Sequence, residues 1–450
     1  MSNKEENRKQ NCGSEQQRVG CALGGIYTAL AINNVLPVLH SGPGCQLQSG
    51  TVLAKLNGGQ NAYPYQETII PCTDFSEADV IFGGSERFRK VIASSMKYYK
   101  TDLIVAVDGC TAEIVGDDIK EVAESFDGSD VPVIYATLPG FKGNNLYGHS
   151  QILKAIIDQF LDGPVEKVEK QVNVWGIVPF YDATWQGTLT GIEKLLKDLG
   201  FKPNIIYGRN KGIEEVKKIP QAEWNLLLSP WLDLDIVKKL EKKYQTPFLH
   251  FDHVPSGPTE TTKLIRAIAE FANLDRDFVE DYIRDGEEEY YYYISRQLAS
   301  INEGINLPKT FSLIGSAAAA VSTVRFMVND LGFVPKKVYI VENVPEKHEE
   351  AVRNALYDLE LEDKDFELVF TDDGGLPAAE LLQEETPGEV ILGSTWDEVL
   401  ARDLNATFFP ISVPIGPGLI GRKSYFGYTG GVDFFVDFYT RLLEGGRTSI

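Results

Sequence analysis

The sequence predicts an α/β protein composed of three parallel α/β units. In the first unit, apolar strand-like runs are each followed by small or polar residues and then by a helical pattern; they are Val80–Phe82, Leu103–Val107 and Val131–Ala136. This alternation is typical of a parallel sheet with crossover helices. A chain of 450 residues with 43% hydrophobic residues is also long and apolar enough to bury several cores.

The second unit opens with a buried-strand run and continues the same rhythm. Its predicted strands are Val172–Val178, Ile205–Tyr207, Leu226–Leu228 and Phe248–Phe251. Helices are predicted over Thr188–Asp198, Leu232–Tyr244 and most of 258–305, and Ile236, Leu240 and Tyr244 form the apolar stripe of an amphipathic helix.

The third unit begins near Lys309 and repeats the pattern. Its predicted strands are Phe311–Ile314, Val338–Val341, Leu368–Thr371 and Val390–Leu392. We therefore expect a polar N-terminal tail (1–18), a cysteine-bearing domain (19–170), a second α/β domain (171–306), a third (307–410), and a C-terminal segment (411–450) that packs back on earlier domains.

Charge and composition exclude several functional classes. The net charge of −22 makes general binding to nucleic acid or to an anionic membrane unfavourable, because both would repel the chain. No run of eighteen apolar residues is present, so we expect no membrane span. The first ten residues are charged and polar, and five is an odd number of cysteines, so we expect a cytoplasmic protein without a disulfide framework.

All five cysteines lie in the first quarter of the chain, which indicates clustered thiols for metal or redox chemistry. Cys45 follows a strand-like pair and a glycine-rich loop, in Pro37-Val-Leu-His-Ser-Gly-Pro-Gly-Cys45. Cys110 follows another strand, and Cys21 precedes two glycines and a predicted helix of about twelve residues. Thiolates in three loops at a sheet edge are suitable ligands for an iron–sulfur cluster. Gly44 and Gly109 are expected to let the backbone approach it.

Other interpretations of these residues remain open at this stage. Each cysteine is equally well explained as a small buried residue, and zinc is disfavoured because no C-x-x-C spacing occurs. Cys72 is either a fourth ligand or a neighbouring thiol, and Cys12 lies in the polar tail. His40 is expected to hydrogen-bond near the site rather than to ligate.

Two further features carry weaker signals. His250 and His253 flank a strand end and are either a metal pair or hydrogen-bonded loop residues. Gly315 with the following serine and alanines resembles a nucleotide-binding turn only superficially. No Walker G-x-x-x-x-G-K-[ST] sequence is present, so any ATP-driven step would need a partner.

The ordered cysteine motifs resemble those of the nitrogenase component 1 family over nearly the whole chain. The resemblance is carried by Cys21-Ala-Leu-Gly-Gly, the Pro37–Cys45 motif, Asp74-Phe-Ser-Glu-Ala-Asp-Val-Ile-Phe-Gly-Gly84, Cys110-Thr-Ala-Glu-Ile-Val-Gly-Asp-Asp118, Pro139-Gly-Phe-Lys-Gly143 and, more loosely, Gly427-Tyr-Thr-Gly-Gly-Val. It implies three Rossmann-like domains with parallel sheets, pairing of α-type and β-type subunits in a heterotetramer, and an iron–sulfur relay cluster at the subunit interface.

By motif match, the resemblance implies that Cys21, Cys45 and Cys110 bind this cluster, which would be P-cluster-like or [4Fe–4S] and shared with the partner subunit. It also implies an ATP-hydrolysing iron protein as electron donor, with the Gly116-Asp-Asp helix start shaping the side on which that donor docks.

Departures from the family pattern narrow the role. Catalytic subunits of the family anchor a substrate-reducing cofactor through a second-domain Cys and a C-terminal His, but no Cys follows Cys110 and no His follows His348 here. The chain thus resembles the non-catalytic β-type subunit, and we assign it no catalytic residue. The family's β-subunits also carry a Ser in the Pro139–Gly143 loop that can ligate the oxidised cluster, where this chain has Gly140.

The resulting expectation is the β-like, electron-relay subunit of a nitrogenase-like reductase. The substrate reduced by its α-like partner would be dinitrogen, an organosulfur compound such as a methylthio-alkane, or a tetrapyrrole. The alternative functions are a scaffold for the assembly of a nitrogenase-type metallocluster and a metal-free α/β binding protein.

Overall fold

The computed structural model describes residues 17–55, 70–163, 165–302, 307–360, 366–386, 388–415 and 420–445. Two compact units are present. The larger comprises Gly20–Gly304 and Val413–Asp437, and the smaller comprises Met1–Val19, Ile305–Ser412 and Phe438–Ile450. Cys12 lies outside the described residues.

A three-stranded parallel sheet carries the cysteine loops of the larger unit. Its strands are β1 (Val35–His40), β2 (Leu103–Asp108) and β3 (Val133–Thr137), with β2 in the centre. Every residue of β1 and β2 is buried, as expected for a parallel sheet covered on both faces. The register pairs His40 with Asp108 and Asp108 with Thr137, so the three strands end side by side. The loops that follow them therefore meet at one edge.

The second sheet of the larger unit has four parallel strands in the order β5-β4-β6-β7. They are β4 (Val168–Trp175), β5 (Lys202–Asn204), β6 (Ala222–Leu228) and β7 (Phe248–Phe251). Buried asparagines link the strands, since Asn173 donates to Asn225 and accepts a hydrogen bond from Asn204. The segment 420–437 packs in this unit: Ser256 Oγ donates to the Tyr425 carbonyl and the Thr262 hydroxyl bonds the Tyr428 hydroxyl.

The smaller unit contains a five-stranded parallel sheet in the order β10-β9-β8-β11-β12. Its strands are β8 (Thr310–Gly315), β9 (Val334–Ile340), β10 (Glu367–Phe370), β11 (Val390–Gly393) and β12 (Thr407–Pro410). Arg18 belongs to this unit: its guanidinium pairs with Asp397 at 2.7 Å and is 6% exposed. The expected frayed tail therefore does not extend to Arg18.

Helices connect the strands in the α/β pattern. They are α1 (Ile26–Leu30), α2 (Pro43–Lys55), α3 (Glu77–Phe82), α4 (Ser85–Tyr98), α5 (Cys110–Val115), α6 (Ile119–Glu124), α7 (Asn145–Ala155), α8 (Trp185–Asp198), α9 (Ile213–Lys217), α10 (Leu234–Tyr244), α11 (Gly257–Ala272), α12 (Arg276–Asn302), α13 (Ala317–Asn329), α14 (Glu346–Tyr357), α15 (Leu376–Leu381), α16 (Glu398–Asp403) and α17 (Gly427–Gly445). Within the described ranges, no helix combines the length and the apolar character needed to cross a bilayer.

The predicted α/β class with parallel sheets is confirmed, and three local predictions are wrong. Val80–Phe82 is the last turn of helix α3, because Ser76 and Asp79 form a capping box that starts a helix and its apolar residues lie on the surface. The strand expected at Ile205–Tyr207 lies earlier, at Lys202–Asn204. The helix after Cys21 is a short 3₁₀ segment, Ala22–Gly25, followed by five α-helical residues.

The predicted domain boundaries remain a prediction. The first and third sheets fall within the expected domains 19–170 and 307–410, and strand β4 of the second sheet begins at Val168, just before the expected start at 171. The two compact units instead group the first two sheets together.

Candidate functional site

Cys21 lies near the start of the first domain in the chain, in extended backbone just before the 3₁₀ segment. An antiparallel bridge pairs it with Asn144, whose side chain caps α7 by accepting from the Leu146 and Tyr147 amides. The approach of α7 to the 3₁₀ segment is so close that a Cβ on Gly148 would lie 2.0 Å from the Ala22 carbonyl oxygen. Cys21 is thus exposed but held by rigid backbone on both sides.

Cys110 is the first residue of helix α5, at the carboxyl end of β2. The preceding Gly109 is required for packing against the neighbouring loop, because a Cβ there would lie 2.5 Å from Ser41 Oγ. The expectation that Gly109 lets the backbone approach a cofactor remains a prediction; the position that a Cβ would take is occupied by Ser41. The Gly140 amide donates a hydrogen bond to Cys110 Sγ over 3.1 Å.

Gly140 brings two of the predicted ligands to one point. A Cβ placed on it would lie 2.7 Å from Cys21 Sγ and 3.6 Å from Cys110 Sγ. The two sulfurs, which are 89 positions apart in the sequence, thus lie beside the same backbone atom. The lack of a side chain at Gly140 leaves the space that Cys21 Sγ occupies, whereas Cys110 Sγ would stand at an ordinary contact distance from a Cβ.

Cys45 lies in the first turn of α2 and is half-buried. Its amide donates to the Gly42 carbonyl, and neither Gly42 nor Gly44 would bring a Cβ within 4 Å of another atom. The backbone before Cys45 therefore has room for a side chain at both glycines, and the role expected of Gly44 remains a prediction. Cys72 pairs with Leu39 at the edge of β1, and its thiol donates to the Ser41 carbonyl over 3.3 Å.

The pKa shifts show that these thiols lie within electrostatic reach of one another. Burial raises the pKa of Cys21, and the charges of Cys110 and Cys45 raise it further. Burial also raises the pKa of Cys72, with a smaller contribution from Cys45. Several thiolates held this close repel one another unless a cationic centre lies between them.

The donor set fits an iron–sulfur cluster better than a single ion. No group of three His, Cys, Asp or Glu side chains in the described part of the chain is arranged to hold one metal ion. A cluster takes its thiolates on different irons, so its ligands stand further apart than those of a mononuclear site. Three soft thiol donors around Gly140 and the open loop at Gly44 suit such a group.

His40 is fully buried. Its ring stacks on Phe88 with 4.3 Å between centroids, while Nδ1 bonds Thr73 Oγ1 and Nε2 bonds Asp117 Oδ2 at 3.0 Å. Burial lowers the pKa of His40, although Asp117 opposes the shift. The predicted hydrogen-bonding role thus holds, with Thr73 and Asp117 as partners.

An acidic pair not singled out from the sequence flanks Cys110. Asp108 is buried, accepts a hydrogen bond from the Leu138 amide, and has its pKa raised by burial to about 7. Glu113 is paired with Lys142 on the surface, and that hydrogen bond lowers the pKa of Glu113. The sequence signal was available, since Asp108 ends β2 at the carboxyl edge of the sheet.

Large apolar side chains are exposed around the cysteine loops. Ile81 and Phe82 of α3 are 71% and 85% exposed, and Ile114 of α5 is 75% exposed. Leu47 and Phe141, near Cys45 and Gly140 in the chain, are 63% and 60% exposed. Exposed apolar side chains of this size, when they form a patch, are typical of surfaces that bind other proteins.

The remaining sequence candidates are accounted for by ordinary contacts. His250 Nε2 bonds the Ser229 carbonyl, and buried His253 contacts Asp252 and Glu260. His250 lies in strand β7 and His253 in the bend that follows it, and these polar contacts account for both rings. Ser316 caps helix α13 by accepting from the Ala319 amide, as expected for close packing of a helix on a sheet.

Comparison with known proteins identifies the family. The sequence model of the nitrogenase component 1 type oxidoreductases matches residues 21–443. The chain is 22% identical to the nitrogenase molybdenum-iron protein beta chain of Methanococcus maripaludis, over 94% of this chain and 92% of that protein. It is 24% identical to the nitrogenase iron-molybdenum cofactor biosynthesis protein NifE of the same organism, over 66% of this chain and 62% of that protein.

A solved structure, nitrogenase Cp1 at pH 6.5, has the same fold, with a TM-score of 0.78 at 19% identity, covering 98% of this chain and 96% of that one. The chain belongs to the nitrogenase component 1 type oxidoreductase family and is β-like within it.

Proposed function

We propose that this member of the nitrogenase component 1 family is the electron-relay subunit of a nitrogenase-like reductase. Cys21, Cys45 and Cys110 bind an iron–sulfur cluster shared with a homologous partner subunit. The observation that carries the proposal is the convergence of Cys21 and Cys110 on Gly140, with Cys45 within electrostatic reach.

The cluster, when bound, accepts and releases single electrons. The chain's own residues hold the thiolates and set their electrostatics. The Gly140 amide donates a hydrogen bond to Cys110 Sγ, which orients the sulfur and would withdraw negative charge from a bound cluster. Rigid backbone at Cys21 and at the start of α5 keeps the ligands in place without side-chain rearrangement.

An α-like catalytic subunit completes the site. Cys21 is exposed, and the nearby Leu47 and Phe141 present apolar surface that a partner would cover. The chain has no Cys after Cys110 and no His after His348, so the substrate-reducing cofactor belongs to that partner. Two such pairs would form the heterotetramer.

The second partner is an ATP-hydrolysing iron protein that supplies the electrons. This chain has no Walker sequence of its own, so the ATP-dependent step lies elsewhere. We place the docking surface on Ile81, Phe82 and Ile114, which form an exposed apolar patch on α3 and α5. Because Cys110 begins α5, a donor bound there would stand one short helix from a ligand of the cluster.

The ligand assignment is tested by iron and acid-labile sulfide analysis of the anaerobically purified complex. Cys45→Ala and Cys110→Ala are expected to remove most of the iron and the absorbance of the cluster. Unchanged iron and absorbance in both variants would refute the assignment. A wild-type complex without iron would instead support a metal-free binding protein.

The substrate is best addressed by product analysis. The complex, its iron protein and ATP are offered dinitrogen, a methylthio-alkane and a tetrapyrrole in turn. ATP-dependent reduction of any one of them supports the reductase and names its substrate class.

The second candidate is a scaffold for metallocluster assembly. It is favoured by the similarity to a cofactor biosynthesis protein over 66% of the chain. A scaffold would release its cluster to an acceptor protein and reduce none of the substrates, whereas the relay subunit would retain its cluster through turnover. Iron-57 transfer to an acceptor, measured beside product formation, separates the two functions.

A further inference from the structure

Helix α3 (Glu77–Phe82) is held in place without a hydrophobic anchor. None of its six residues is buried, and Val80, Ile81 and Phe82 are 50%, 71% and 85% exposed. Surface helices of globular proteins are normally fixed by an apolar face turned to the core. The orientation of α3 must therefore be set by polar contacts at its two ends.

At the start of α3, the contacts are local. Ser76 and Asp79 form a capping box, and Arg87 of α4 donates to Asp79 over 2.7 Å. The Arg87 side chain is 40% exposed, so this ion pair contributes little to the placement of the helix.

At the end of α3, the Asp117 carboxylate accepts hydrogen bonds from the residues that join α3 to α4. Gly83 has a φ of +87°, and the Gly84 amide donates to both Asp117 oxygens, at 3.0 and 2.9 Å. The Ser85 hydroxyl donates to Asp117 Oδ1 over 3.1 Å. The Asp117 side chain is only 6% exposed, so these charge-assisted bonds are largely shielded from water.

Both glycines are needed for this approach. A Cβ on Gly84 would lie 2.8 Å from the His40 ring and 2.9 Å from the Phe75 ring, and one on Gly83 would lie 3.1 Å from Asp117 Oδ1. Gly116, which has a φ of +84°, ends α5 and turns the chain, so that the next residue, Asp117, reaches this junction.

Asp117 also connects this junction to the cysteine loops. Its Oδ2 bonds His40 Nε2, His40 Nδ1 bonds Thr73 Oγ1, and Thr73 Oγ1 accepts from the Ser41 amide. Cys72 donates to the Ser41 carbonyl. A continuous chain of hydrogen bonds therefore joins the end of α3 to the loop that leads to Cys45.

We propose that Asp117 is a positioning residue that fixes helix α3, and with it Ile81 and Phe82, in the orientation that the electron donor recognises. This inference rests on the proposed function, in which the donor docks on α3 and α5. Asp117 does not touch the donor; it acts through the Gly84 amide and the Ser85 hydroxyl. Preorganised apolar side chains bind more tightly because less ordering is left to occur on docking.

The test uses the intact complex and its iron protein. Asp117→Ala removes all the acceptors, and Asp117→Asn retains one oxygen at similar size in case the alanine variant does not fold. Asp102→Asn is the control: it removes the same charge just before β2, at the opposite end of the strand from Cys110, where the exposed Asp102 side chain accepts from Asn34. Phe82→Ala tests the docking surface directly.

Two readouts are taken on variants with wild-type iron content. Hydrogen exchange of the amides of residues 77–84 in the free complex is expected to accelerate about tenfold or more in Asp117→Ala and less in Asp117→Asn. The iron-protein concentration at half-maximal electron transfer is expected to rise about tenfold, with the maximal rate retained, as for a loss of preorganisation. Asp102→Asn is expected to change neither.

Unchanged exchange in α3 overturns the inference. A second outcome also overturns it: the Asp117 variants exchange faster in α3 but keep wild-type donor affinity, while Phe82→Ala weakens binding. Donor recognition would then not depend on the orientation of α3. If neither Phe82→Ala nor the Asp117 variants alter binding, the docking surface in the proposed function is wrong and the inference fails with it.

Discussion

The backbone amide of Gly140 donates a hydrogen bond to Cys110 Sγ over 3.1 Å. The same residue faces Cys21, whose sulfur would lie 2.7 Å from a Cβ at position 140. Gly140 therefore lies beside two proposed ligands, and its amide donates a hydrogen bond to one of them. A relative with a side chain at this position would need a different arrangement of its thiols.

The first prediction concerns the space beside Gly140. Gly140→Ala is expected to displace Cys21 and to lower the iron content of the purified complex by at least half, since the new methyl group and the sulfur would occupy the same volume. Gly163→Ala is the control, because its Cβ would meet no atom within 4 Å. Full iron content and an unchanged electron paramagnetic resonance spectrum in Gly140→Ala would contradict the proposed site.

A second prediction separates Cys72 from the three proposed ligands. Its thiol already donates to the Ser41 carbonyl and is half-buried against the core. Cys72→Ala is expected to keep its iron and to lose about 1 kcal/mol of unfolding free energy, from one weak hydrogen bond and a small cavity. Iron analysis beside Cys45→Ala decides the question, because equal iron loss in both variants would make Cys72 a ligand.

The third prediction is a pH dependence of stability at Asp108. Burial raises its pKa in the folded chain to about 7, whereas an Asp in the unfolded chain titrates near ~4. Between these values the folded state binds the proton more tightly, so the free energy of unfolding falls as the pH rises from about 4 to 7. Asp108→Asn removes this titration while its amide oxygen still accepts from the Leu138 amide.

Urea unfolding at pH 5 and pH 8 provides the measurement for Asp108. The free energy of unfolding of Asp108→Asn minus that of wild type is expected to be larger at pH 8 than at pH 5. Asp130→Asn, at an exposed carboxyl, serves as the control. If this difference in the free energy of unfolding is the same at both pH values, the pKa of Asp108 is not raised by folding.

The strands were predictable because buried parallel strands are continuous apolar runs, as in β2 and β11. Val80–Phe82 has the same composition, yet it ends a surface helix. Composition cannot distinguish an apolar run facing a core from one facing a partner protein. The error therefore coincides with the proposed docking surface, where the usual rule that apolar residues are buried does not hold.

The cysteine motifs located the candidate site in the sequence, since a thiol after a parallel strand lies at the carboxyl edge of the sheet. The contacts that shape the site were not predictable in the same way. Asp117 and Gly84 are 33 positions apart, and their hydrogen bonds follow from left-handed turns at Gly83 and Gly116. A single sequence reports the glycines but not which carboxylate reaches them.

The contacts of Arg18 could not be predicted from a single sequence, and they lead to the last prediction. Its guanidinium forms a bidentate pair with Asp397, donates to the Ser394 hydroxyl and stacks on Trp396. The Asp397 side chain is 2% exposed, so Arg18→Ala would leave a buried carboxylate without its counter-ion. We expect the smaller unit to lose about 3–5 kcal/mol of unfolding free energy.

The control for Arg18 is an ion pair with the same groups on the surface. Arg441 and Glu444 of helix α17 belong to the smaller unit, are 60% and 61% exposed and lie 3.7 Å apart, so Arg441→Ala is expected to cost less than about 1 kcal/mol. Urea-dependent hydrogen exchange read on strand β11 reports the smaller unit directly. If Arg18→Ala destabilises β11 no more than Arg441→Ala does, water must solvate Asp397 in the variant, and Arg18 does not contribute to the stability of this unit.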